Sequence, residues 1–303
     1  MDRQGPPQRR FGPAAGDQLL GAVAGRSSFS TSLAAELTEA LAGGQLALEF
    51  QTERRIAGAL GRSGTIRSVE ALVRWRHPSR GLVRPADFLP IAEESDLVER
   101  IGMWVLGEAT ARASVWQTSD PSLLGLSLSI NMSAAELRRP HLVEHVLALL
   151  GEKAMAAESL TVEFQEDAVA ADSRTAIDAL RALREAQVRT SLDDCIAGPD
   201  LEQRLRRLPL DAIKIHPSMV AALGTAPGDA SMRAMVVLAR GLGLTTVAEG
   251  VETREQLARL RSLGCEFAQG YLYGKPLGAS GISALLRAER RRRSDKSVTP
   301  SPG

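Results

Sequence analysis

Cysteine, histidine, aromatic residues and net charge are all scarce in this chain. Only Cys195 and Cys265 occur in 303 residues. That excludes a disulfide framework and a thiolate zinc site and points to a reducing, cytoplasmic setting. The four histidines form no cluster in the sequence. No hydrophobic run is long enough to span a bilayer, and nothing resembles a secretory leader. Lys and Arg number 37 against 36 Asp and Glu, a formal charge of +1. No overall field therefore draws the chain onto a nucleic-acid polymer or an anionic membrane, and an anionic ligand needs a local site. A glycine-rich dinucleotide fingerprint is missing too, which argues against a Rossmann sheet. What is there is an ordinary core-forming composition, 44% hydrophobic, enough for one large core or two modest domains.

Residues 1–31 are rich in Gly, Pro, Gln and Arg without a sustained period and read as a disordered segment. The organised region is read as 32–286, followed by a basic tail, 287–303, that contains Arg290-Arg291-Arg292-Arg293 and reads as disordered. Ser32 is placed as a helix cap, with Gly43-Gly44 as the stop. Leu46 to Gln51 reads as a strand, Arg62-Ser63-Gly64 as a turn, and Ile66 to Leu72 as the antiparallel partner. From there the pattern becomes strand, then helix, repeatedly. A helix over Leu89 to Ala113 is followed by strands at Leu126 to Ile130, Leu160 to Phe164, Arg189 to Leu192, Ala212 to Ile215, Thr245 to Val247 and Phe267 to Ala268, with helical stretches between them. Such alternation over some two hundred residues predicts an α/β barrel with a parallel sheet.

In a barrel of this kind functional groups sit at the carboxyl ends of the strands. Those ends carry Glu70, Asn131, Glu163, the adjacent pair Asp193-Asp194, Lys214, Glu249 and Gln269. Each has a plain explanation alone: Asn131 as a helix cap, Lys214 as a solvated end, Glu249 as a partner of Arg254. Together they place hard oxygen ligands at nearly every strand end with a single lysine among them, a set suited to magnesium or manganese and not to zinc. Trp75, Trp104 and Trp116 lie in apolar contexts and read as core, and both cysteines read as buried small residues.

The stretch Val69-Glu70-Ala71-Leu72-Val73-Arg74-Trp75 resembles the signature of the EAL-domain family, phosphodiesterases that open cyclic di-GMP to the linear dinucleotide pGpG. The resemblance continues through Pro85 to Glu94, Ile130-Asn131-Met132-Ser133, Glu163-Phe164-Gln165-Glu166, Asp193-Asp194, Leu208 to Ile215, Ala248 to Thr253 and Gln269-Gly270-Tyr271, covering roughly Ser32 to Leu286. It implies a TIM-like (β/α)8 barrel with one antiparallel strand near the amino terminus, in agreement with the opening hairpin. It also implies two divalent cations, Mg2+ or Mn2+, one held by Glu70, Asn131, Glu163 and Asp193 and the other bounded by Asp193, Asp194 and Glu249. By the same resemblance Lys214, Glu249, Asp193 and Asp194 are catalytic, while Gln51, Glu70, Leu72, Arg74 and Gln269 contact the substrate. Glu166 and Glu252 support the site from behind.

Two departures stand out. Where the family has Phe-Gly-Thr-Gly-Tyr-Ser-Ser-Leu after the aspartate pair, this chain has Cys195-Ile196-Ala197-Gly198-Pro199-Asp200-Leu201-Glu202. A β-branched residue replaces a glycine and a proline fixes another backbone angle, so a stiffened loop and a weakened homodimer contact are expected. His216 stands where an aspartate is expected after Lys214-Ile215. The sequence thus sets a metal-dependent cyclic di-GMP phosphodiesterase against a catalytically weak or inactive cyclic di-GMP receptor on the same scaffold. The retained ligand set favours the enzyme. An unrelated magnesium-dependent lyase barrel would leave the ordered motifs unexplained.

Overall fold

The computed structural model describes residues 33–56, 64–120, 123–169 and 174–297. The segment 1–31, Ser32 and the turn residues Arg62 and Ser63 lie outside the described residues. After a first helix, α1 (33–42), the chain forms the long hairpin β1 (Leu46–Arg55) and β2 (Ile66–His77), then a short β3 (Gly81–Val83) and helices α2 (Pro85–Glu94) and α3 (Leu97–Ser119). Strand and helix then alternate: β4 (Ser127–Asn131), α4 (Ala134–Leu137), α5 (Leu142–Glu152), β5 (Leu160–Phe164), α6 (Arg174–Glu185), β6 (Arg189–Cys195) and α7 (Leu201–Arg207). The remainder is β7 (Ala212–Ile215), α8 (Pro217–Ala221), α9 (Ala226–Gly241), β8 (Thr245–Ala248), α10 (Arg254–Leu263), β9 (Phe267–Ala268), β10 (Leu277–Gly278) and α11 (Ala279–Ser297).

Eight strands close on themselves in the order β1, β2, β4, β5, β6, β7, β8, β9 and back to β1. β1 is antiparallel to both neighbours, pairing with β2 from Leu46↔Trp75 to Arg54↔Ile66 and with β9 through Arg54↔Ala268 and Arg55↔Phe267 alone. The other barrel neighbours are parallel. The expected barrel with one antiparallel strand is therefore present.

Alternation sorts each strand into two faces. Outward residues such as Leu128, Ile130, Val162, Phe164, Ile213 and Ile215 are buried in the layer between strands and helices, where Phe50 meets Trp116 edge to face at 4.9 Å. A second apolar cluster, with Leu37, Trp75, Phe88 and Ile101, fills the space around α1, α2 and α3. Trp75 and Trp116 are buried and Trp104 packs half-buried on that second cluster, so all three tryptophans are core. Both cysteines are free and buried, and burial pushes the Cys195 thiol up to about 12 and that of Cys265 to about 11.

Three expectations need correction. The stretch read as one helix over Leu89 to Ala113 is two helices, because Asp96 takes a left-handed conformation (φ 55°) and breaks the chain between α2 and α3. β6 does not end at Leu192 but runs to Cys195. The tail read as disordered from Arg287 is helical through Ser297, so Arg290 to Arg293 lie on α11, and residues 298–303 lie outside the described residues. Contacts fix that helix: Glu289 accepts from Arg54 Nη1 (3.1 Å) and from the Ile66 backbone (2.9 Å), Ser283 accepts from Trp116 Nε1 (2.8 Å), and Arg290 pairs with Asp120 at 3.0 Å. No described helix is long and apolar enough to cross a membrane.

Candidate active site

The central feature is a bulge in β6. The ladder between β6 and β7 shifts register between Leu192 and Cys195, and Asp194 adopts φ 55°. Aspartate tolerates that conformation better than most residues, and a bulge re-aims the side chains around it. In this way two consecutive aspartates, which a regular strand would send to opposite faces, both reach the mouth of the barrel. An oxygen of each of Asp193, Asp194 and Glu249 lies within 4.8 Å of the others. Glu249 follows β8 directly, and Gly250 (φ 65°) turns the chain immediately after it, with Pro217 packed where a Cβ would stand.

Lys214, on the inward face of β7, is only 1% exposed. Its Nζ lies 2.8 Å from Glu249 Oε1, 2.9 Å from Glu163 Oε2, 3.2 Å from Glu70 Oε2 and 3.3 Å from Asp193 Oδ1. The Asp193 oxygen is buried yet outside hydrogen-bonding geometry. Glu70 is further fixed by Asn131 Nδ2 on Oε1 (2.8 Å) and Gln269 Nε2 on Oε2 (2.6 Å), and Gln269 also reaches Gln51 Oε1 at 3.2 Å. Glu70, Asn131, Glu163, Asp193, Lys214, Glu249, Gln51 and Gln269 are thus brought together from all eight strand positions of the barrel. Glu249 pairs with Lys214 rather than with Arg254.

Electrostatics follow from this crowding. Burial works against the Lys214 ammonium, but the surrounding carboxylates outweigh it and hold its pKa well above the ordinary lysine value. Burial, reinforced by Glu70 and Asp193, raises Glu163 well above the usual carboxylate range despite Lys214. The Glu249 carboxyl is pushed up to about 7 by burial and by its acidic neighbours, again against Lys214. Burial also acts on Glu70, yet Lys214 and the hydrogen bonds from Gln269 and Asn131 prevail and lower it. Fully ionised, five carboxylates facing one ammonium would carry a formal charge of −4, and without cations the site relieves it by holding protons on Glu163 and Glu249. The donor set is all hard oxygen, with a buried Asp193 oxygen that faces Lys214 but accepts no hydrogen bond, and it fits divalent cations; Asp193, Asp194 and Glu249 form the candidate site.

Other anticipated residues are placed differently. Arg74 lies beyond Glu70 on the same face of β2, but its Nε is ion-paired with Glu49 at 2.8 Å. Leu72 is half-buried between them, in register with Glu49. Glu166 pairs with Arg204 of α7 at 3.1 Å, and Glu252 is exposed, its backbone N–H donating to Gln256 (2.8 Å). In the altered loop Ile196 is 50% exposed, and the left-handed conformation falls on Asp200 (φ 60°). A crevice of about 450 Å3 opens beside it, lined by Gln165, Glu166, Asp193, Asp194 and Arg204 among others. Sequence reasoning missed Gln165, which donates to Asp194 Oδ2 at 3.1 Å, and the 3.8 Å approach of His216 Nε2 to Asp194 Oδ1. Gln165 had a signal in its place two residues beyond Glu163, directly after the strand next to β6.

Comparison with known proteins agrees with this geometry. The sequence matches the family model described as the EAL domain over residues 34–276. It is 36% identical over 266 residues to the cyclic di-GMP phosphodiesterase NbdA of Pseudomonas aeruginosa, covering 88% of this chain and 33% of that protein. An uncharacterized signaling protein of Caulobacter vibrioides is 37% identical over 258 residues, covering 85% and 30% respectively. The chain thus spans about a third of the length of these relatives. The solved structure of the PaMucR phosphodiesterase in complex with c-di-GMP superposes with a TM-score of 0.75 at 33% identity, covering 83% of this chain and 99% of that one. Barrel, site and sequence agree, and the chain belongs to the EAL-domain family.

Proposed function

We propose that this chain is a phosphodiesterase that hydrolyses cyclic di-GMP to linear pGpG. The observation that carries the reading is Lys214, buried and held by four carboxylates at the carboxyl end of the barrel. An ammonium fixed in that way keeps its charge and its donors aimed at one point, where it orients the attacking water and stabilises negative charge as it develops on the phosphoryl oxygens. Asn131 spends its amide N–H on Glu70, which leaves its carbonyl oxygen as the ligand atom. Gln269 ties Glu70 to Gln51, coupling the ligand set to the side of the mouth where Leu72 and Arg74 would meet the substrate. Two Mg2+ or Mn2+, one at Glu70, Asn131, Glu163 and Asp193 and one at Asp193, Asp194 and Glu249, would supply Lewis-acid activation of water and screening of the phosphodiester when bound. NbdA is named a cyclic di-GMP phosphodiesterase, and PaMucR was solved with c-di-GMP, which supports the same substrate here.

The test is purified chain with cyclic di-GMP and Mn2+, with and without excess chelator, followed by chromatography of the products. Linear pGpG should form only with the cation; unchanged turnover in excess chelator would remove the cation-dependent reading. Calorimetric binding of cyclic di-GMP without product would turn the reading to a receptor. The approach of His216 to Asp194, with Glu166 held by Arg204 instead of by the loop, is what favours that alternative.

A further inference from the structure

The same inward faces that carry the ligand set continue toward the opposite end of the barrel, and there their chemistry changes. A barrel of this size is ordinarily filled by bulky branched side chains. Here Ser68, Ser127, Ser129, Thr161, Ser191 and Ala212 occupy the interior, and a cavity of about 480 Å3 remains, reaching up to Glu163. That volume is within the range of about 300–1,000 Å3 common for small-molecule sites. Ser191 is 2% exposed and lines the cavity, and its Oγ has no hydrogen-bond partner. A buried hydroxyl is rarely left so unless something else satisfies it.

Around this cavity stand Arg55, Arg67 and Arg189. None has a carboxylate oxygen within 4.0 Å among the described residues. Arg55 lies over the Phe267 ring at 4.7 Å, and Arg67 donates to the Gly125 carbonyl. Burial first, and then Arg189 and Arg55, lower the pKa of Arg67 against the pull of Glu53, so the three guanidiniums feel one another. The acidic groups lining the cavity cancel them only in part: Asp211 and Glu163 are paired with cations of their own, which leaves Glu266 and a partly protonated Glu53 against three guanidiniums. Asp211 is occupied by Arg184 (2.8 Å) and by the Thr190 N–H (2.9 Å), Glu266 accepts from the Thr246 N–H (3.3 Å), and burial pushes Glu53 up to about 7. Glu163, at the inner end, belongs to Lys214.

We propose that this cavity is a second binding site, for a small anion carrying one or two phosphoryl groups, recognised by Arg55, Arg67 and Arg189 and by the hydroxyl of Ser191. A phosphoryl group offers three or more acceptor oxygens to three guanidinium forks, whereas a carboxylate offers two. The inference is independent of the phosphodiesterase reading, because it uses the other end of the barrel and none of its ligands.

The experiment is isothermal titration calorimetry of the full chain with inorganic phosphate and with pyrophosphate, in excess chelator and at constant ionic strength. Without cations the carboxylate-lined mouth repels anions, so binding there does not confuse the result. Saturable one-to-one binding is expected, tighter for pyrophosphate, with acetate silent. Arg67→Gln and Arg189→Gln should each weaken it about tenfold or more, the loss of one charge-assisted contact. Arg74→Gln, at the other mouth, should leave it unchanged. All titrations are run at pH 8, above the Glu53 value of about 7, so Glu53→Gln removes a negative charge and should tighten binding; this variant keeps the test decisive if an arginine variant fails to fold. Absence of saturable binding, loss of binding in Arg74→Gln, or affinity unchanged or weaker in Glu53→Gln would each overturn the proposal.

Discussion

The two ends of the barrel interior are built by the same strands with the same alternation, and they differ only in what each level carries. Toward the carboxyl ends, Glu70, Glu163, Asp193, Glu249 and Lys214 are joined by contacts of 3.3 Å or less. Toward the amino ends, small hydroxyl residues leave open volume and one hydroxyl without a partner. The difference teaches that the lumen is not where this fold gets its stability. The large apolar side chains lie between strands and helices, which frees the interior to carry charge at one level and space at the next.

The sharpest way to break this contrast is to truncate one residue at each level. Lys214→Ala should lower turnover by about 10²–10³-fold. In cation-free protein it should also destabilise by about 3–5 kcal/mol, because buried carboxylates lose their counter-charge. Ser191→Ala should change stability by no more than about 0.5 kcal/mol and leave turnover alone, since its hydroxyl has no partner to lose. Chemical denaturation and steady-state rates on both variants decide it, and equal costs would erase the distinction.

Next in size is the response to cations. Mg2+ or Mn2+ at about a hundred times its dissociation constant should stabilise the protein by about 2.7 kcal/mol, seen as a raised melting temperature. The increment should vanish in Asp193→Asn and persist in Arg67→Gln. A melting temperature indifferent to cations in the wild type would contradict the fit of the acidic cluster.

The two levels also differ in pH response. Burial pushes Glu53 up to about 7, above the 4.5 of an ordinary glutamate, against the attraction of Lys214 and Arg67. A carboxyl raised on folding holds its proton in the native state after the unfolded chain has released it. Its contribution therefore costs stability progressively as pH rises from 4.5 to about 7 and is constant above. Glu53→Gln should remove that loss, gaining about 1–2 kcal/mol relative to wild type by pH 8 and nothing at pH 4. A gain that is the same at both pH values would assign the effect to packing instead.

The smallest effect is expected at the loop beside Asp194. Restoring Phe-Gly-Thr-Gly-Tyr-Ser-Ser-Leu over Cys195 to Glu202 should raise the rate about two- to fivefold at limiting cation and barely at saturation, the scale of a change in backbone freedom. Superimposable cation titrations of the two proteins would shift attention to His216.

Much of the upper level was legible because strand ends are marked by composition: an apolar run stops, and a carboxylate, amide or lysine follows. The bulge at Asp193-Asp194 was not, since it shows only in the shifted ladder register and the positive φ of Asp194, and aspartate at a strand end reads equally as a cap. The break at Asp96 was hidden for the same reason. The ion pair of Arg74 with Glu49 was not legible, because Glu49 lies on another strand and is brought opposite only by the hairpin register. The lower level was invisible because serine and threonine in a strand give no sign of which face they take until the sheet closes. Arg55, Arg67 and Arg189 converge from three strands, and no local pattern links them.

The seam of the barrel has a consequence for synthesis. β1 meets β9 through two residue pairs, and α11 reinforces that junction by bringing Glu289 to Arg54 and to the start of β2. Arg54 and Glu289, which brace that junction, are thus separated by 235 positions in the chain. β1 is synthesised before β9 and α11, so the nascent hairpin waits with one edge unpaired until they emerge. During that interval the unpaired β1 edge is open to pairing with a wrong strand, and the ring closes only after β9 and α11 have been made.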